Sequence, residues 1–232
     1  MYTTFLNLCN GLIGEAGISG EMTSVVNQQG ELRRVVNWIN RACTLVEGKW
    51  VNWNYLHEFH TFDTVSGIRD YPPQVGHGFW DTNTARIVAD QTNVSFDRYE
   101  NRKKDASEAI LGEPFVFTVL PNQTLRFFST PDATYGMAIE YWRAPTILTN
   151  NTDEPSIPLQ YRDIIVYKAL EFYAKYESAD ELLLQARDDY KMRLTQLESR
   201  EMPGGHASGS LSTGIDIQVV AESGGSGYYD GD

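Results

Sequence analysis

The chain has 232 residues, 31 of them acidic and 19 basic, giving a net charge of −12, with 41% hydrophobic and 12% aromatic side chains. A chain of this length buries roughly 70% of its unfolded surface and needs no metal or disulfide staple, and Cys9 and Cys43 read as buried small hydrophobes of a reducing compartment. The acidic balance argues against a phosphate-gripping or anionic-membrane surface. No run of 18 apolar residues is present to span a bilayer, and residues 1–14 lack the positive start of a secretory signal.

In chain order, Phe5, Leu8, Cys9 and Leu12 predict a short helix that Gly11, Gly14 and Gly17 bring to an end. Leu32, Val35, Val36, Ile39, Ala42, Cys43 and Val46 then trace one apolar stripe, with Arg33, Arg34, Asn37, Asn40 and Glu47 largely off it and Gly48 as the stop. Trp38 lies beside the stripe, so either the core face is wide or a second partner covers that flank.

From residue 57 to 144 the period changes to two. Ser66-Gly67 separates a strand ending at Val65 from Ile68-Arg69-Asp70-Tyr71 and predicts a hairpin. Pro121-Asn122 separates 115–120 from 124–128 and predicts a second, to which 136–142 adds a third strand. Residues 84–89 and 94–99 are shorter strand candidates. The connections look too short for parallel crossovers, so an antiparallel sheet or small sandwich is expected.

The helical period returns at Pro158, a good first helical residue, and 159–176 contains no Gly or Pro. Ser178 and Glu181 have the spacing of a capping box that would start a new helix carrying Leu183, Ala186, Tyr190, Leu194 and Leu197, so that the two helices form an αα-hairpin. Residues 203–232 hold eight glycines, four acids and no Lys or Arg, a composition that cannot order itself alone. Within it Ile215, Ile217 and Val219 alternate as a half-buried strand would.

The expected fold class is therefore α+β: a helical bundle, made of the long helix and the C-terminal αα-hairpin, with an inserted antiparallel β region and an extended C-terminal segment. The expected organisation is one domain over 1–202 (helices in 3–56 and 158–201, β region 57–145) followed by the acidic, Gly-rich segment 203–232.

No catalytic, cofactor or metal motif emerges from the residues, and no enzyme is expected. His57-Glu58-Phe59-His60 offers two imidazoles and a carboxylate, but the spacing suits neither a helical i, i+4 pair nor one face of a strand, so a structural reading is favoured. His77 and His206 sit among glycines and read as exposed loop residues. Trp50, Trp53, Tyr55, Trp80, Phe127, Phe128, Tyr141 and Trp142 read first as core between sheet and helices. A carbohydrate-binding platform would need several of Trp50, Trp53, Trp80 and Trp142 exposed on one face. Arg102-Lys103-Lys104 is the one basic run, a solvated loop or a patch for a carboxylate-rich partner or a DNA backbone.

Four stretches in order carry a resemblance: Thr4-Phe5-Leu6-Asn7-Leu8; Val35-Val36-Asn37-Trp38-Ile39-Asn40 leading to Trp50-Val51-Asn52-Trp53-Asn54-Tyr55-Leu56; Phe62-Asp63-Thr64-Val65-Ser66-Gly67-Ile68-Arg69-Asp70-Tyr71-Pro72; and Ile157-Pro158-Leu159-Gln160-Tyr161-Arg162-Asp163 running on through Tyr190. Over roughly residues 3–200 the chain resembles the head-to-tail adaptor (head-completion, connector) proteins of tailed bacteriophages, especially short-tailed ones. The resemblance implies a virion structural protein at the neck, assembled in the host cytoplasm. It implies a ring, usually of twelve copies, that joins the portal protein to a tail or nozzle protein and lets genome DNA pass through its lumen without specific binding. It carries over no catalytic residues, and neither a cofactor nor a membrane partner is expected. The C-terminal segment would contact the portal, with Ile215, Ile217, Val219, Tyr228 and Tyr229 as candidates; Arg102, Lys103 and Lys104 would contact the tail or a neighbouring copy. The alternatives are a tail-associated carbohydrate-binding or cell-wall-degrading protein, and a neck stopper or tail-terminator ring.

Overall fold

The structure, a computed structural model, describes residues 2–102 and 110–202. Among them it places two layers of different character, each with its own core.

The helical layer comprises α1 (Phe5–Glu15), α2 (Gly30–Glu47), α4 (Asp163–Glu177) and α5 (Asp180–Glu201). α1 starts on a capping box in which Thr4 and Asn7 satisfy each other's backbone amides. It runs through Gly11 and Gly14 rather than ending there, and Gly11 makes room for the Tyr2 ring, which any Cβ at that position would strike. The stripe of α2 buries Val35, Ile39, Ala42, Cys43 and Val46 against α1 and α4. The flank of Trp38 is covered by Tyr173 and Tyr176 of α4, with ring centroids 6.0 and 5.7 Å away.

The two flank positions Asn40 and Glu47 hold neighbouring backbone. Asn40 both accepts from and donates to the backbone of Leu148 (3.0 and 2.8 Å), and the Glu47 carboxylate, 1% exposed, accepts from the amides of Thr146 (2.6 Å) and Ser156 (2.9 Å). Burial raises the Glu47 pKa, and these backbone donors oppose the shift. Together the two side chains bind the segment between strand and helix onto α2. Asp153 closes that segment by accepting from the amides of Thr149 and Asn150, which hold its pKa down at about 2.

The αα-hairpin forms at the expected place by a different device. Ser178 does not cap α5; it takes the left-handed conformation (φ 57°) that ends α4, and the Ala179 amide donates to the Ala174 carbonyl. Pro158 precedes a single 3₁₀ turn, Leu159–Tyr161, rather than opening α4 itself.

The β layer overturns the expectation of a helical bundle with an inserted antiparallel region. It consists of two substantial sheets enclosing a core of their own. The first has order β1-β7-β3, from β1 (His57–Asp63), β3 (His77–Ile87) and β7 (Gly136–Arg143). The second has order β2-β6-β5-β4, from β2 (Asp70–Tyr71), β4 (Ser95–Phe96), β5 (Val116–Val119) and β6 (Leu125–Phe128). Trp80, Ile87, Met137, Ile139 and Tyr141 of the first meet Phe117, Leu125 and Phe127 of the second.

Three pairings differ from those expected. The turn at Ser66-Gly67 exists, but the strands on either side enter different sheets: β1 pairs with β7 and β2 with β6. β7 therefore does not extend the β5–β6 hairpin. And β4 pairs with β5 in parallel, across a connection that contains the short helix α3 (Tyr99–Arg102). Alternation within a strand states which face is apolar but not which strand lies alongside, since β1 and β7 are distant in sequence.

A candidate interaction surface

Along β7, Met137, Ile139 and Tyr141 point into the sandwich core, so Glu140 and Trp142 lie on the opposite face. Pairing carries that face across the sheet. Phe59 and Asp81 lie opposite Glu140, and His57 and Phe79 opposite Trp142. The rings form a row: His57 stacks on Trp142 at 4.8 Å, Phe79 lies 6.2 Å from Trp142, and Phe59 lies 6.4 Å from His57. Phe59 is 67% and Phe79 52% exposed.

The row continues toward the helical layer as an apolar groove of about 280 Å³, lined by Trp50, Val51, Leu56, Phe79, Trp142 and Pro145. Trp50 is fixed at its rim because its indole N–H and the Lys49 ammonium both donate to Glu198 of α5, each at 2.7 Å. An exposed row of aromatic rings held in place by sheet register and by a helix end is the kind of surface that marks a contact with another protein.

Gly78 is what lets β3 reach this position. A Cβ there would lie 2.9 Å from the backbone of Trp142, Arg143 and Ala144, and the pairing register shifts between His77 and Phe79. His77 is consequently not a loop residue. It begins β3 with its ring 4.1 Å from Trp80 and 5.7 Å from Tyr141, and burial first, then neighbouring His60, lowers its pKa to about 4.

The remaining expected residues fall as follows. His57 and His60 belong to β1 but to different faces: His57 to the outer row, His60 against Trp80 and Tyr141 inside. His57, Asp81 and Glu140 bring ligand-type atoms within 4.8 Å of one another, a grouping invisible in sequence because it draws on three strands. Trp53 and Trp80 are core residues at 0% and 2% exposure, which removes two of the four tryptophans a sugar platform would use. Arg102 donates to Asp97 at 2.8 Å and lies over the Phe128 ring at 5.3 Å. Lys103 and Lys104, and Ile215, Ile217, Val219, Tyr228 and Tyr229, lie outside the described residues.

The described residues thus form a two-layer α+β fold that carries a fixed, partly exposed aromatic row on the outer face of its three-stranded sheet. Residues 12–212 match the SU10 adaptor protein family. The chain belongs to that family, a phage adaptor family, and is a virion-associated structural protein. No curated protein matches the chain. Among the described residues no helix is long and apolar enough to cross a membrane.

Proposed function

We propose that this chain is the adaptor between the portal vertex of the capsid and the tail of a short-tailed phage, assembled as a ring of about twelve copies. The family match over residues 12–212 carries the proposal, and the four stretches quoted above support the more specific placement at the neck. The chain acts by contact and performs no catalysis. Its helices form the wall of the ring, and the aromatic row of Phe59, His57, Trp142 and Phe79 meets the tail-side protein. The segment 203–232, with the alternation Ile215, Ile217, Val219, adds to the portal as an extended strand, since binding supplies the order that its composition does not. A net charge of −12 suits a lumen that passes DNA without holding it.

Deletion of residues 204–232 tests the portal contact. The truncated chain is expected to keep the melting temperature of the full chain and to lose its retention on purified portal complexes. Full retention after the deletion contradicts the assignment.

A further inference from the structure

We infer that His57, Asp81 and Glu140 form a divalent-cation site on the outer face of the three-stranded sheet, suited to Zn²⁺ rather than to Ca²⁺. The residues come from β1, β3 and β7, and their ligand atoms already lie within 4.8 Å of one another. A Zn²⁺ ion with bonds of about 2.0–2.2 Å to nitrogen and oxygen draws such atoms together by small side-chain rotations while the paired backbones stay fixed.

Two further observations favour a cation at this place. Asp81 and Glu140 are register partners, so two carboxylates face each other directly across adjacent strands, an arrangement that costs stability unless compensated. The nearest guanidinium compensates only in part: Arg86 Nη1 stands 3.6 Å from Glu140 Oε1 and donates instead to the Thr84 carbonyl at 3.2 Å. Second, His57 Nε2 is shielded from solvent and lies 3.2 Å from Glu140 Oε2, yet it makes no hydrogen bond. Nitrogen and oxygen are close without pointing along each other's hydrogen-bond direction, a geometry that suits two ligands of one ion. Asp81 Oδ1 accepts the Asn83 amide at 3.1 Å, which fixes that carboxylate as ligands are commonly fixed.

The donor set decides the ion. An imidazole with two carboxylates matches the borderline divalent metals, whereas Ca²⁺ takes six to eight oxygens and has little use for a ring nitrogen. Three protein ligands on a solvent-facing sheet leave a coordination position open to water or to a side chain from a neighbouring protein. The ion would tie both edge strands to β7. This inference stands apart from the neck assignment, and either can fail without the other.

Calorimetric titration of chelator-stripped, full-length protein with ZnSO₄ tests it. One equivalent binds the wild-type chain, CaCl₂ gives no saturable heat, and Zn²⁺ raises the wild-type melting temperature. Asp81→Asn and His57→Gln each weaken binding by at least about tenfold, since loss of even an outer-shell partner of a ligand typically costs that much. Glu58→Gln, on the same strand but hydrogen-bonded to Tyr141 on the other face, leaves it unchanged. Asp81→Asn removes one of the two facing charges, so its metal-free melting temperature does not fall, and lost binding there is not lost folding. Absence of saturable Zn²⁺ binding, or binding that survives both Asp81→Asn and His57→Gln, overturns the site.

Discussion

The ring of His77 sits against Trp80 and Tyr141 with its Nε2 out of solvent and unbonded, so the fold holds the neutral imidazole and penalises the charged one. His60 is depressed in the same direction, chiefly by desolvation, and its interaction with Gln74 opposes that. The folded-state value of about 4 lies below the unfolded value of about 6.5. The unfolded chain therefore binds more protons between the two, and stability is complete above about pH 6.5 and is lost as pH falls toward 4. The urea midpoint is expected to be lower at pH 5 than at pH 7.5, and His77→Phe, which keeps a ring in the slot, should shrink that difference. An unchanged difference in the variant would show that other groups set the acid response. Glu47 acts in the opposite sense: its raised pKa means that ionisation costs stability as pH climbs through the carboxylate range.

At the scale of elements, Ser178 separates two accounts of the αα-hairpin. As the first residue of a capping box it would lose a few tenths of a kcal/mol on replacement by glycine. As a left-handed helix end it carries a conformation costing a side-chain-bearing residue about 1–2 kcal/mol, against about 0.5–1 kcal/mol for the extra freedom of glycine in the unfolded chain. Ser178→Gly is thus expected to stabilise the protein by about 0.5 kcal/mol in urea denaturation, and a loss of stability would restore the capping reading. This position also shows what the sequence makes legible. The stripe of α2, the α4–α5 pair and the β5–β6 hairpin at Pro121-Asn122 are local patterns, and all are readable. The partners of β1 and β7 are not, because their register depends on residues far apart, and neither is the extension of β3 back to His77, which requires the bulge at Gly78. The aromatic row escaped for the same reason. In the sequence its members are only scattered aromatic residues, and cross-strand pairing alone puts Phe59 and Phe79 outside and Trp80 inside. Glu47 and Asn40 fall largely off the apolar stripe in the sequence, and only the structure shows that they hold the segment around Leu148 and Ser156 to α2.

For the whole molecule, the two layers leave an exposed aromatic row where they adjoin, and under the proposed neck assignment that row is a contact rather than a liability. Phe59 and Phe79 contribute little to the fold at their exposure, so Phe59→Thr with Phe79→Thr, which removes both rings without setting a new charge opposite Glu140, should leave the melting temperature of the free chain within about a degree or two. Phage carrying the pair should accumulate filled heads without tails, and normal numbers of tailed particles would remove the row from the tail-side contact. The most direct measurement is cryo-electron microscopy of purified portal rings mixed with this chain. The account predicts a second ring, about twelve copies of this chain, seated on the portal with the three-stranded sheet directed away from it. Portal rings bare of added density, with the chain remaining free in solution, would contradict it.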